Sequence, residues 1–204
     1  MSIQQLQHLR AADYPRMPWR NGAGVTAEVA CNAGGGLQGF EWRLSIADVG
    51  QDGPFSAFSG MQRIIAVLEG AGIEMTVDGQ KQAPLRPGQP YAFSGDSQVQ
   101  CRLLNGPIRD FNLIYSPTHY RARLQWLGGL ADQSFHSSAA TVLVFNAGEA
   151  LRVEVGGRMD GVVLARHDCL HIDTDAELAE YRLRAQPQQG AGINACVIEL
   201  QPCA

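Results

Sequence analysis

An approximate internal repeat constrains the fold of this chain more than any other feature of its sequence. A unit of strand, glycine turn, strand, tight turn, spacer, leucine and strand occurs as VLEGAGIEMTVDGQKQAPLRPGQPYAFSGD and again as VFNAGEALRVEVGGRMDGVVLARHDCLHIDTD. The tight turn is Asp78-Gly79 in the first copy and Gly156-Gly157 in the second. Both dipeptides suit a type I′ hairpin, because both of its central residues need positive φ. The repeat therefore predicts two β-rich halves, residues 1–117 and 118–204, that pack as one unit.

Short apolar segments that alternate with polar residues recur along the whole chain, separated by glycine and proline. This period of two is typical of β-strands, while sustained helical periodicity is scarce and only residues 11–14 suggest a helical turn. The sequence thus predicts an all-β protein. The predicted strands are Val25–Val29, Phe40–Val49, Arg63–Leu68, Ile73–Val77, Tyr91–Phe93, Val99–Leu104, Phe111–Tyr115, Ala122–Trp126, Val142–Phe145, Leu151–Val155, Leu170–Ile172 and Ile193–Leu200.

Charge and composition exclude several classes of function. The formal net charge is -4 and no run of basic residues occurs, so we expect no nucleic-acid partner. The longest apolar runs, such as Ile64–Leu68, have the length of a strand rather than of a signal peptide or a membrane span. The cysteines form no CxxC pair, which suits reduced thiols. We therefore expect a cytoplasmic protein with no membrane partner, and a homodimer is left open by the sequence.

The order of strand, glycine, hairpin and Leu-x-Pro-Gly before a further apolar strand resembles the cupin barrel, so the repeated chain resembles a bicupin of jelly-roll type. Cupin enzymes usually carry His-x-His and Glu after the first glycine and a third His after Pro-Gly, and these residues bind a metal ion. Here the segment after Gly70 reads AGIEMTVD, and Tyr91 stands near the position of the last histidine. We therefore expect no metal ion and no other cofactor.

One other cluster has the spacing of metal ligands. His167, Cys169 and His171 are two residues apart, so a strand through residues 166–172 would place all three on one face. Against this interpretation, the repeat assigns Leu170 and Ile172 to the core and turns His171 outward. We favour the end of a surface strand over a physiological metal site, and the sequence leaves adventitious metal binding open.

Three segments in the first third of the chain hold the densest unusual chemistry: WRNGAGVTAE from Trp19, FEWRLSIA from Phe40 and GPFSAFSGMQR from Gly53. Together with a fourth block, GPIRDFN from Gly106, they resemble the HutD/Ves family of bacterial bicupin-like proteins. One branch of that family accompanies histidine-utilisation operons. The resemblance implies a small-molecule binder more than an enzyme, and it carries over no catalytic residue.

The polar residues of these blocks alternate with apolar ones. Arg43 and Ser45 share one face of a predicted strand, Thr26 and Glu28 share one face of another, and Arg63 begins a third. Two interpretations follow. Either these polar stripes face solvent, or they line a pocket in which the two arginines bind an anion and the glutamate neutralises part of their charge.

The glycine-rich loop of residues 19–24 favours the pocket, since its glycines permit close backbone approach and its Trp and Asn offer an apolar wall and a polar amide. The same loop is also consistent with a plain hairpin turn whose tryptophan fills the core. Phe55 and Phe58 fit core packing as well as a pocket wall. The candidate ligand-binding residues are Trp19, Asn21, Thr26, Glu28, Arg43, Ser45, Ser56, Phe58, Arg63, Tyr91 and Asn112.

Three functions remain for this chain. The first is a metal-free binding or regulatory protein for a small carboxylate; the family resemblance implies a metabolite of histidine breakdown, such as urocanate or formyl- or formiminoglutamate. The second is a metal-free isomerase or hydrolase that uses Glu28 and Tyr91 for proton transfer. The third is a protein-interaction module without a ligand.

Overall fold

The computed structural model describes residues 3–19, 22, 24–32, 39–156, 160–186 and 192–203. The all-β prediction is confirmed, since the helical content of these residues is one 3-10 turn at Ala11–Asp13. No helix in this described part of the chain has the length and apolar character needed to cross a membrane. The strands, in chain order, are β1 (Ile3–Leu9), β2 (Arg16–Pro18), β3 (Gly24–Cys31), β4 (Trp42–Val49), β5 (Gly53–Pro54), β6 (Gln62–Glu69), β7 (Ile73–Val77), β8 (Gln80–Lys81), β9 (Pro90–Ser94), β10 (Val99–Leu103), β11 (Ile108–Tyr115), β12 (Tyr120–Gly128), β13 (Asp132–Ser137), β14 (Thr141–Asn146), β15 (Leu151–Val155), β16 (Val162–Leu164), β17 (Cys169–Thr174), β18 (Ala179–Ala185) and β19 (Asn194–Pro202).

One compact unit, which we call the N-terminal unit, spans Pro15–His119. It contains a six-stranded sheet of order β2-β3-β4-β11-β6-β9 and a four-stranded sheet of order β5-β10-β7-β8. Buried side chains from both sheets form one apolar cluster, to which Val49 and Val67 of the larger sheet and Met75 and Val99 of the smaller sheet belong. This cluster lies between the two sheets, as in a cupin-like sandwich.

The C-terminal unit consists of Met1–Tyr14 and Tyr120–Ala204. Its larger sheet has the order β1-β17-β14-β19-β12, and its smaller sheet has the order β13-β18-β15-β16. A single cluster of buried side chains fills the space between them, with Val144 and Leu170 from the larger sheet and Val153 and Leu183 from the smaller.

The first residues of the chain belong to a different unit from the one that the sequence analysis assigned. Residues 1–14 were expected in the N-terminal half, but β1 pairs antiparallel with β17 of the C-terminal unit. His8 Nε2 lies 2.7 Å from Asp168 Oδ2, and the Tyr14 hydroxyl donates a hydrogen bond to the His167 carbonyl at 2.8 Å. This pairing was not predicted, because β1 reads IQQLQHL and lacks clear apolar alternation.

Each strand predicted from apolar alternation is present, and so is the predicted hairpin turn. Asp78 and Gly79 both have positive φ, 48° and 78°, as a type I′ turn requires. Gly156 also has positive φ, while its partner Gly157 lies outside the described residues. The sequence analysis missed β1, β2, β5, β8, β13, β16 and β18. In β18 the buried residues nevertheless alternate with exposed ones.

Candidate functional site

Cross-strand pairing brings the conspicuous polar residues of the N-terminal unit together on one face of its larger sheet. Glu28, Ser45 and Asn112 occupy one row across β3, β4 and β11. Asp110 lies two residues from Asn112 on one side of this row, and Arg43 lies two residues from Ser45 on the other side, so all point to the same face. The Arg43 row continues through β11 to Arg63 on β6. Segments that are far apart in the sequence therefore converge on one surface.

A cavity of about 460 Å³ opens on this face. Eight of the residues proposed from the sequence line it, which brings most of the predicted site into one place. Its lining residues are Met17, Pro18, Trp19, Thr26, Arg43, Ser45, Ala47, Pro54, Phe55, Ser56, Phe58, Arg63, Asp110, Asn112 and Ile114. The interpretation in which the polar stripes face solvent is wrong, because Arg43 and Ser45 are only 2% and 3% exposed.

Arg43 enters the cavity from β4 and is anchored by an ion pair. Its Nε donates to Glu28 Oε2 at 2.9 Å, and its guanidinium carbon lies 5.8 Å from the ring centroid of Phe40. Glu28 does not line the cavity but stands beside it as the counter-ion of Arg43, and its other oxygen accepts from the Cys31 thiol. This arrangement fixes the guanidinium and leaves Arg43 Nη2 with no hydrogen-bond partner among the described residues.

Arg63 enters from β6 and is held by aromatic rings. Its guanidinium carbon lies 4.9, 5.3 and 5.5 Å from the ring centroids of Phe93, Phe58 and Phe55. Its Nη1 donates to the Ser56 carbonyl at 2.8 Å. Burial lowers the pKa of Arg63 to about 10, and the nearby Asp110 charge opposes that shift. Such cation–π contacts fix the orientation of a guanidinium without using its N–H donors, so Arg63 Nε remains without a partner in the described part of the chain.

Asp110, on β11, is the residue of this site that the sequence analysis missed. Burial raises the pKa of its carboxyl to about 7, while Arg63 and the Ala47 backbone N–H favour the ionised form and Asp48 disfavours it. The side chain is 4% exposed, and Oδ1 has no hydrogen-bond partner within the described protein. A signal was available in the sequence, because Asp110 lies in the same motif block as Asn112, two residues before it and directly before the predicted strand Phe111–Tyr115.

Four buried polar atoms on this cavity lack hydrogen-bond partners among the residues that the structure describes. Two are donors, Arg43 Nη2 and Arg63 Nε, and two are acceptors, Asp110 Oδ1 and Asn112 Oδ1. Buried polar groups in proteins are nearly always hydrogen-bonded, and each one left unpaired costs about 1–3 kcal/mol. A cluster of this kind is typical of a binding site rather than of a core.

Trp19 and the described glycines of the segment 19–24 have different roles. Trp19 lines the cavity, and its Nε1 donates to Thr26 Oγ1 at 2.8 Å. Gly22 has a φ of 71°, and a Cβ on Gly24 would lie 2.5 Å from the Asp48 carbonyl oxygen. Both glycines are therefore required by the local backbone. Asn21, proposed for this site, lies outside the described residues.

Tyr91 is the predicted residue that the structure places elsewhere. It pairs with Ile65 at the β9 edge of the larger sheet and packs against the apolar cluster, 6.0 Å from the Phe93 ring. It does not line the cavity. The position that corresponds to a metal-binding histidine in cupin enzymes is therefore part of the packing around the core.

The histidine and cysteine cluster of the C-terminal unit does not form one strand face. His167 precedes β17, in a turn where its φ is 67°, while Cys169 is fully buried and His171 Nε2 lies 3.2 Å from Asp173 Oδ1. Leu170 and Ile172 lie in the core, as expected. Within the described ranges, no three His, Cys, Asp or Glu side chains are placed to hold a metal ion.

Comparisons with known proteins match these features to one family. A sequence model of the HutD family matches residues 11–191. An uncharacterised 21.2 kDa protein from the hutC 3′ region of Pseudomonas putida is 50% identical over 198 residues, which cover 97% of this chain and 98% of that protein. A conserved protein of unknown function from Pseudomonas aeruginosa PAO1 is 51% identical, covers 97% of this chain and 100% of that chain, and superposes with a TM-score of 0.91.

The same family is found among further solved structures and relatives. HutD from Pseudomonas fluorescens SBW25, solved in a formate condition, is 50% identical over 98% of this chain and 100% of that chain, with a TM-score of 0.83. Protein Ves from Escherichia fergusonii is 35% identical over 127 residues, 60% of this chain and 64% of that protein. A cupin 2 conserved barrel domain protein from Leptotrichia buccalis is 8% identical with a TM-score of 0.56 over 98% of both chains, which shows the cupin fold alone. The chain therefore belongs to the HutD family, which is associated with histidine utilisation.

Proposed function

We propose that the N-terminal unit is a receptor for a small carboxylate metabolite linked to histidine utilisation, and that binding rather than turnover is its role. The observation that carries the proposal is the set of four buried polar atoms without partners on one cavity, two of them on arginines. Arginine guanidinium groups bind carboxylates through charge-assisted hydrogen bonds, which are about twice as strong as neutral ones. The cavity volume of about 460 Å³ falls in the range typical of small-molecule sites.

The spacing of the two arginines narrows the class of ligand. Arg43 and Arg63 lie on β4 and β6, on either side of β11, in one cross-strand row through Ile114. Strands in a sheet are about 4.8 Å apart, so the two backbones are separated by roughly 10 Å. A ligand with two acidic groups, or with one acid and an amide, can contact both guanidinium groups. N-Formylglutamate and formiminoglutamate each carry two carboxylates, whereas urocanate carries one carboxylate and an imidazole whose unprotonated nitrogen can accept a hydrogen bond. All three belong to histidine breakdown.

Calorimetric titration of the full chain with these three acids tests the proposal. At a hundred times its dissociation constant, a ligand that binds only the folded state should stabilise it by about 2.7 kcal/mol and raise the melting temperature by roughly 5–10 °C. The informative variant is Glu28→Gln/Arg43→Met, which removes both charges of the buried ion pair together and should lose the response. Arg182→Met, a surface arginine paired with Asp132, is the matched control and should keep it.

Analysis of the three acids after the titration distinguishes a binding protein from an isomerase or hydrolase and from a protein-interaction module. Conversion of any acid in excess of the protein concentration would favour the isomerase or hydrolase. The proton-transfer pair proposed for that enzyme is not assembled here, since Glu28 is paired with Arg43 and Tyr91 lies away from the cavity lining. If none of the three acids is bound or converted, the receptor proposal is contradicted, and the protein-interaction module remains.

A further inference from the structure

The charges around the cavity suggest how binding is regulated. Arg43 and Arg63 carry two positive charges, and Glu28 and Asp110 carry two negative charges when both are ionised. With all four groups ionised, the cavity has no net charge to attract an anion. If Asp110 is protonated, these four groups carry one net positive charge, which favours an anionic ligand.

We propose that the cavity binds its carboxylate ligand together with one proton from solvent, which Asp110 takes up. This inference rests on the proposed function of the preceding subsection. The protonated carboxyl changes from an acceptor into a donor, so its O–H can bond to a carboxylate of the ligand, in addition to the donors Arg43 Nη2 and Arg63 Nε on the same cavity. Ionised, Asp110 would instead face a second negative charge in a buried site, which is strongly unfavourable.

The charged groups that act on Asp110 come from the neighbouring strands, and Asp48 acts from the opposite face of the sheet. Arg63 on β6 favours its ionised form, whereas Asp48 on β4 favours the protonated form. Cys101 on β10 is the remaining nearby titratable group, and burial together with the Asp110 charge raises its thiol pKa to about 12, so it stays protonated near neutral pH. Among the residues that the structure describes, Arg63 is the cation whose charge favours ionised Asp110. A ligand carboxylate that engages Arg63 weakens this support for the ionised form.

The linkage has a definite sign. Burial raises the Asp110 pKa to about 7 in the protein without ligand. Because the ligand favours the protonated form, it raises that pKa further, and by reciprocity deprotonation weakens ligand binding by the same factor. Affinity should therefore be constant below about pH 6 and should fall by up to tenfold per pH unit above about pH 7.

The test is the dissociation constant of N-formylglutamate for the full chain between pH 6 and pH 9, a range in which its own carboxyls stay ionised. We expect the fall in affinity described above, and calorimetry at pH 8 in two buffers of different ionisation enthalpy should show uptake of close to one proton. Formate, which has no N–H group, should show the same dependence. An affinity that is independent of pH, or that rises with pH because an ionised Asp110 accepts a ligand N–H, would overturn the proton linkage and leave the receptor intact. Absence of binding by either acid at every pH would overturn both.

Variants assign the proton to Asp110. Asp110→Asn should bind with an affinity that does not change with pH, whereas Asp132→Asn, a surface acid paired with Arg182, should behave like the native protein. A pH-dependent affinity in Asp110→Asn would assign the proton to another group and overturn the proposal. The stability of the native protein relative to Asp110→Asn gives a readout without ligand. Since the pKa of this carboxyl in the unfolded chain is near the ordinary aspartate value of 3.8, that difference should fall from pH 4 to pH 7. A flat difference would show that Asp110 is ionised throughout and contradict the proposal.

Discussion

Each unit has an apolar cluster between two sheets, but the units differ in the cavity that lies beside it. Between the sheets of the N-terminal unit lies a cavity of about 460 Å³ with Arg43, Arg63 and Asp110 on its wall. The C-terminal unit instead fills the space between its sheets with a contiguous cluster of apolar side chains, and a small cavity beside Leu151 and Ile193 holds only about 10 Å³, roughly one water. A similar pair of sheets thus borders a polar cavity in one unit and a packed apolar core in the other.

Buried polar groups show the same contrast. In the C-terminal unit, Asn146 Nδ2 donates to three backbone carbonyls, and Asp168 accepts from His8 and from the backbone N–H groups of Ala11 and Ala165. These side chains close turns and tie down the first strand. In the N-terminal unit, buried Arg43 and Asp110 each keep an atom that the described protein does not satisfy. Satisfied groups are typical of structure, and unsatisfied groups on a cavity are typical of binding.

The largest effect is expected from breaking the buried ion pair of the N-terminal unit. Arg43→Ala leaves the Glu28 carboxylate buried without its partner and should lower the free energy of unfolding by about 3–5 kcal/mol. Glu28→Gln/Arg43→Met removes both charges and should recover most of that loss, as chemical denaturation would measure. If the double variant is as unstable as Arg43→Ala, the arginine contributes through packing rather than through charge.

A smaller effect distinguishes the packed interior from the interior with a cavity. Leu183→Ala in the C-terminal core should cost about 2–5 kcal/mol, because the neighbouring side chains cannot relax into the space. Ile114→Ala, also a buried aliphatic residue but one that borders the cavity, should cost less, since part of its surface has no protein neighbour to lose. Denaturant midpoints of the two variants give the comparison, and equal costs would mean that the cavity wall is packed as tightly as the core.

The smallest effect concerns the unit to which the first residues belong. Tyr14→Phe removes the hydrogen bond to the His167 carbonyl and should cost about 1 kcal/mol. Hydrogen exchange should become faster at β17 amides such as those of Leu170 and Ile172. Amides of β11, such as that of Leu113, provide the control within the same molecule. Faster exchange in β11 with no change in β17 would contradict the assignment of residues 1–14 to the C-terminal unit.

Local sequence was sufficient to predict twelve of the strands and eight of the residues that line the cavity. Strand positions followed from the period of two, and the Asp78-Gly79 turn followed from the need for positive φ. Alternation also showed that Arg43 and Ser45 share a face, because successive side chains of a strand point to opposite sides whatever the strand packs against. Motif blocks identified the family without any knowledge of the fold.

The enclosed face of each strand, and the residues that meet at the cavity, could be identified from the tertiary structure but not from the sequence. Alternation separates two faces but does not say which one is enclosed, so the solvent-facing and cavity-lining interpretations of Arg43 stayed equivalent until β4 was paired with β3 and β11. The same pairing placed Asp110 in the site and Tyr91 outside it. These outcomes depend on strand order and register between distant segments, whereas local sequence specifies only the geometry of each strand.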